Sequence, residues 1–156
     1  MVKYEATIRS IHPTDKVFDY LADFATSQEW DPGVLQASRV GDEPLAVGTS
    51  FQIVSKFLWA QVPLRYEIVE LEPSRKVVLH AEGGVFSAED TISVAEVGGE
   101  TEVHYRAVLS FRGPPKALAP LMQIIFNGVG RKATKGLWNA LNKPDLGERR
   151  HDTGDV

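Results

Sequence analysis

Apolar and polar residues alternate from the first positions: Tyr4, Ala6 and Ile8 interleave with Lys3, Glu5, Thr7 and Arg9, the period-two pattern of a strand with one buried face. His12-Pro13-Thr14-Asp15 then supplies turn and capping residues, and Val17, Phe18, Leu21 and Phe24 recur at helical spacing. One or two short helices are therefore expected, ended by Trp30-Asp31-Pro32-Gly33, because proline disfavours a helical residue before it. Alternation resumes in six stretches: Leu35 and Ala37; Phe51, Ile53 and Phe57; Leu64, Tyr66 and Ile68; Val77, Leu79 and Ala81; Phe86, Ala88, Ile92 and Val94; and Val103, Tyr105, Ala107, Leu109 and Phe111. After Gly113-Pro114-Pro115 the period changes. Leu118, Leu121, Met122, Ile125, Val129, Ala133, Leu137 and Leu141 recur at three- and four-residue steps within 116–142, which predicts one apolar stripe on a long helix. Only the run of strands offers enough surface to cover that stripe. The pattern predicts an α+β chain in the order strand, short helices, six strands and long helix, with a layer of apolar side chains or a cavity between helix and sheet.

Turn residues sharpen the topology. Gly83-Gly84 and Gly98-Gly99 are two-residue turn signals and Pro73-Ser74 a looser one, so strands four to seven are expected to form an antiparallel meander. With two-residue turns, Tyr66 falls opposite Ala81, Ala81 opposite Phe86, and Phe86 opposite Phe111, all in the apolar set. A one-residue slip would swap the faces. The same register aligns Glu70, Val77, Asp90 and Ala107 in one row, with Glu70 two strands and roughly 10 Å from Asp90.

Length and composition narrow the classes. The 156 residues fit one domain, expected over 1–143, followed by a polar tail at 144–156 expected to be disordered. Hydrophobic residues make up 43% and charged residues 24%, with no run near the roughly 20 apolar residues of a membrane span, so stable membrane insertion is not expected. The absence of cysteine excludes disulfides and thiolate chemistry, and a net charge of −4 argues against phosphate-backbone binding and hence nucleic acid as a partner. The start of the chain carries no secretory pattern, which makes a cytoplasmic location the default expectation. No Gly-x-Ser-x-Gly elbow, Walker loop or dinucleotide fingerprint occurs. His80 and His104 share parity with outward residues and complete no zinc set; neither a metal nor a cofactor is expected.

Val17-Phe18-Asp19-Tyr20-Leu21-Ala22-Asp23 leading to Glu29-Trp30-Asp31-Pro32-Gly33-Val34, the hairpin Gly98-Gly99-Glu100-Thr101-Glu102-Val103, the exit Leu109-Ser110-Phe111-Arg112-Gly113 and the closing helix together resemble the START-like (SRPBCC) superfamily, in its polyketide cyclase/dehydrase-like branch. The resemblance covers about residues 2–142. It implies a helix-grip fold, a curved seven-stranded antiparallel sheet around the long helix, enclosing a hydrophobic cavity for lipids, sterols, polyketides or similar small molecules. Members range from carriers to cyclases, and the branch offers no catalytic signature to transfer residue by residue. The leading expectation is binding, by carriage or sequestration, of a hydrophobic or amphipathic molecule. The alternatives are a polyketide aromatase/cyclase or dehydratase acting in the same cavity, and an interaction module whose pocket is collapsed.

Ser55, Glu70 and Asp90 break the apolar rule of the inward set, and Tyr66 and Tyr105 add hydroxyls. A buried carboxylate must be hydrogen-bonded, paired or protonated, so Asp90, Tyr66 and Tyr105 are the acid/base candidates. The simpler expectation for the Glu70–Asp90 row is a sheet end where both carboxylates reach water. The expected ligand wall comprises Trp30, Phe51, Ile53, Ser55, Trp59, Tyr66, Leu79, Phe86, Asp90, Tyr105, Leu121 and Ile125. Trp30 also fits plain core packing. Trp59, in an apolar hairpin tip, fits a gate, a membrane-touching loop, or packing against the helix or a second subunit, which leaves a homodimer open. Gly128, Gly130 and Gly136 each cost about 1 kcal/mol in a helix, an expense best explained by close packing against the sheet, with ligand space or a kink as alternatives. Arg131, Lys132 and Lys135 are expected to form a solvated basic face.

Overall fold

A computed structural model of the chain describes residues 1–84, 86–113 and 118–146. Seven strands form one curved antiparallel sheet: β1 (Val2–Ser10), β2 (Val34–Arg39), β3 (Ser50–Phe57), β4 (Ala60–Glu72), β5 (Lys76–Glu82), β6 (Phe86–Val97) and β7 (Glu100–Phe111), in the order β1-β7-β6-β5-β4-β3-β2. Between β1 and β2 lie α1 (Thr14–Ala22), a 3-10 turn at Phe24–Thr26 and the single turn α2 (Ser27–Trp30). The chain closes with α3 (Ala119–Leu141), which lies across the sheet's concave face beside β1. The element order expected from the pattern and the helix-grip architecture implied by the resemblance are thus the ones observed. No helix among the described residues is long and apolar enough to cross a membrane.

The register agrees with the expected pairing at Tyr66↔Ala81 and Phe86↔Phe111, but Ala81 faces Ala88 instead of Phe86. The β5–β6 ladder closes at Glu82↔Ser87, and the Gly83 N–H donates to the Phe86 carbonyl at 2.7 Å, so this turn is longer than two residues. The slip is an even number of positions and leaves every face unchanged. A second difference has consequences. A bulge between Ile68 and Glu70 places Glu70 opposite Val78 instead of Val77, and Glu70 pairs with Lys76 at 2.6 Å on the solvent side. Asp90 sits instead in the row Ile68, Leu79, Asp90, Ala107, Tyr4. Leu71, back on inward parity after the bulge, packs against the core, which is the trace such an insertion leaves in sequence.

The layer between α3 and the sheet has two ends. At one, Ile8, Val17, Leu21, Ile92, Val103, Leu137 and Leu141 are buried together, and the Ser10 hydroxyl donates to the Leu141 carbonyl at 2.6 Å. Leu146 is buried in the same core, three residues past the expected domain edge at 143; residues 147–156 of the expected tail lie outside those described. At the other end the hairpin tips at Phe57↔Ala60 and Glu82↔Ser87 converge with the end of β7 at Phe111, and there the interior is open.

Gly130 and Gly136 explain how α3 comes so close. A Cβ at Gly136 would fall on the Trp30 backbone oxygen and one at Gly130 on the Tyr4 ring, whereas at Gly128 it would meet nothing. Close packing against the sheet thus holds at Gly130, while at Gly136 the close neighbour is α2.

Candidate ligand-binding site

Asp90 and Tyr105 face inward from adjacent strands, two positions apart in register, because Asp90 opposes Ala107. A diagonal of this kind brings long side chains together, and the Tyr105 hydroxyl donates to Asp90 Oδ2 at 2.6 Å. Asp90 is only 6% exposed, so the sheet-end position with access to water is corrected: the carboxyl lies mid-sheet, beneath α3. Burial pushes its pKa up to about 7, against the lowering effect of the Tyr105 hydrogen bond and with added repulsion from Asp31 and Glu89. Tyr105 and Tyr66 are pushed well above the usual phenol range, first by burial and then by the charge of Asp90.

The end of α2 brings in the remaining polar groups. Asp31 Oδ1 accepts from the Gly33 N–H at 2.8 Å, an Asx turn that proline and glycine at the next two positions favour; burial raises its pKa while that bond lowers it. Trp30 meets the Tyr105 ring edge-on at 5.8 Å and 79°. Among the described residues its buried Nε1–H finds no acceptor, and the buried Ser27 hydroxyl no partner. From the helix side, Thr134 Oγ1 hydrogen-bonds the Tyr4 hydroxyl at 2.8 Å.

These groups bound a cavity of about 100 Å³ between the sheet and α3, walled by Tyr4, Trp30, Asp31, Asp90, Tyr105 and the helix face from Phe126 to Leu137. A second cavity of about 130 Å³ lies toward the hairpin tips, lined by Ser55, Phe57, Val62, Phe86 and Phe111 among others. Asp31, Leu109, Phe126 and Val129 line both, so the two are chambers of one cleft. Its walls are mostly apolar, and among the described residues every ionisable side chain in the first chamber is an acid or a phenol.

Of the residues expected from sequence, Trp30, Asp90 and Tyr105 meet in the first chamber, and Ser55 and Phe86 line the second. Phe51, Ile53, Leu79 and Tyr66 are buried in the core and line neither, Tyr66 stacking on Phe24 with ring centroids 4.9 Å apart. Leu121, 54% exposed, and Ile125 line neither chamber as well. The cleft-facing side of α3 runs instead through Phe126, Val129, Gly130, Ala133, Thr134 and Leu137. Trp59 is 90% exposed beside Leu58, which has φ 56°, so it neither packs on α3 nor walls the cleft. Sequence reasoning missed Asp31, Tyr4, Phe126 and Thr134. The Asp-Pro-Gly turn and the helical Gly130 and Gly136, which mark where α3 touches β1 and α2, were the available signals.

A sequence model of the family described as polyketide cyclase / dehydrase and lipid transport matches residues 1–141. Comparison with curated proteins gives no match. Among solved structures, the protein TTHA0849 from Thermus thermophilus superposes with a TM-score of 0.71 at 20% identity, covering 88% of this chain and 94% of that one. A START superfamily protein from Mycobacterium smegmatis gives 0.73 at 10% identity over 89% and 96%. The Zhui aromatase/cyclase from Streptomyces sp. R1128 gives 0.69 at 12% identity over 89% and 90%. At these identities the likeness is one of fold.

Proposed function

This chain belongs to the polyketide cyclase / dehydrase and lipid transport family, and from that premise we propose that it carries or sequesters a hydrophobic or amphipathic small molecule in the cleft beneath α3. The observation that supports this most directly is the cleft itself, an apolar space left open inside an otherwise packed layer, with one buried polar pair, Asp90 and Tyr105, placed to orient an occupant. Affinity then comes from apolar burial, at about 25 cal/mol per Å², and orientation from the pair. The two chambers, about 100 and 130 Å³, are together smaller than the roughly 300–1,000 Å³ of drug-sized sites. A small ligand fits as the cleft stands, and a larger one requires the exposed N-terminal half of α3 to lift.

Native mass spectrometry of freshly purified protein tests the proposal. A retained small molecule, or uptake of fluorescent lipid probes lost on filling the cleft with Ala133→Phe, is the expected result. A bare chain mass under gentle conditions, with no probe uptake, removes it.

A second reading, an aromatase/cyclase or dehydratase, is favoured by one observation: the Asp90 carboxyl, with a pKa of about 7, is poised for proton transfer near neutral pH. As carboxylate it would take a proton from a carbon between two carbonyls and, as acid, return it to the alkoxide oxygen formed in ring closure. Turnover of a poly-ketone mimic, lost in Asp90→Asn with binding retained, supports that reading; absence of turnover by protein that binds the mimic counts against it.

A further inference from the structure

The first chamber joins features that a neutral apolar ligand would leave unused. Two carboxyl groups, Asp90 and Asp31, stand in the wall of a single space of about 100 Å³, and among the described residues that wall holds no lysine, arginine or histidine. Among the described residues neither aspartate takes part in an ion pair. Buried carboxyls without a cation are costly to the fold. The rings of Tyr4, Trp30, Tyr105 and Phe126 surround the same space, and aromatic walls of this kind attract organic cations through their negative faces. A metal is poorly served here, since no group of three metal-binding side chains occurs among the described residues. The second chamber is mostly apolar, with Asp31, Ser55 and Lys56 among its lining residues, and adjoins the first at Phe126 and Val129.

We propose that the molecule held in this cleft is a hydrophobic ammonium ion, its positive head among Asp90, Asp31 and the aromatic rings and its apolar tail in the second chamber. This rests on the pocket reading above and narrows it to a substrate class. The ammonium supplies the charge the two carboxyls lack, and an anionic ligand is repelled by them. Binding is coupled to the protonation of Asp90. The titratable groups facing that carboxyl are Tyr105 from β7, Tyr66 from β4, Tyr4 from β1 and Asp31 after α2, with Glu89 on its own strand. β5 presents Leu79 there, and α3 presents Gly130 and Thr134 while Arg131, Lys132 and Lys135 are exposed on its other side.

Three probes of one shape decide the matter: 4-phenylbutylamine, 4-phenylbutan-1-ol and 4-phenylbutyrate, titrated calorimetrically into the full chain at pH 8.5 and pH 5.5. The amine, with a pKa near the lysine value of about 10.4, stays cationic throughout. At pH 8.5 it is expected to bind at least about tenfold more tightly than the alcohol, and the butyrate more weakly than either. At pH 5.5, where Asp90 is largely protonated given its pKa of about 7, the amine's advantage is expected to fall about tenfold. Asp90→Asn, with its fold checked by near-ultraviolet circular dichroism, should lose the preference for amine and keep the alcohol. Equal affinity for amine and alcohol at pH 8.5, a preference that does not weaken at pH 5.5, or one that survives in folded Asp90→Asn overturns the assignment while alcohol binding leaves the pocket standing. Failure of all three probes to bind overturns the pocket as well.

Discussion

The two halves of α3 meet the same sheet in opposite ways. The C-terminal half is clasped: Leu137, Ala140 and Leu141 are buried, Gly136 lies against the Trp30 backbone, and Ser10 and Asn142 tie helix and strand by hydrogen bonds. The N-terminal half rests on the rim of the cleft with Leu121 and Ile124 at 54% and 67% exposure, joined to β1 through Gln123 and the Lys3 backbone. Stability is therefore concentrated at one end of the layer, the acid that burdens the fold lies mid-layer where the clasped half meets the cleft, and the apolar second chamber lies toward the other end. Segments that must yield to a ligand are drawn from the less stable parts of a protein, and this helix divides the two duties along its length.

The largest expected contrast comes from matched truncations. Leu137→Ala should lower stability by about 3 kcal/mol, within the range for buried leucines, while Leu121→Ala should stay within about 0.5 kcal/mol, as exposed sites do; urea melts of both variants measure the gap, and equal losses would erase the division. Next, Asp90→Asn should raise stability at pH 8. The carboxyl's pKa moves from 3.8 when unfolded to about 7 when folded, so between those values the folded state binds more protons than the unfolded one. Stability then falls as pH rises through that window. The variant should gain stability over wild type at pH 8 and almost none near pH 4, and a wild-type melting temperature that climbs from pH 4 to pH 7 relative to the variant would contradict the shift. Gly136→Ala, whose new methyl meets backbone, should cost about 2 kcal/mol by overpacking. Smallest of all, Gly128→Ala, with open space around it, should gain up to about 1 kcal/mol in helix propensity and raise the melting temperature by about 2–4 °C.

Much of the architecture was legible because one face of every strand is buried, and a buried face fixes parity even where turn length is misjudged. The β5–β6 turn shows this: the glycine pair suggested too short a loop, yet Phe86, Ala88 and Asp90 kept their side. The bulge at Val69 broke the same logic, because one inserted residue reverses parity and carried Glu70 out of Asp90's row. On α3 the stripe was harder to phase, since Leu121, Met122, Ile124, Ile125 and Phe126 are apolar on nearly all sides and periodicity could not choose among them. The contact face is marked by missing side chains at Gly130 and Gly136. Asp90 and Tyr105 emerged as exceptions to an apolar set. Asp31 did not, because its role depends on a turn that folds back across the sheet.

The pairing of β1 with β7, from Val2↔Leu109 to Ser10↔Thr101, also governs when this chain can become itself. The opening strand has to wait for a partner about a hundred residues away, and long-range closure of that kind slows folding. Within this sheet β1 is made before β2 to β6 and meets its neighbour β7 only after all of them, so α3, which follows β7, locks a structure that cannot be assembled in halves.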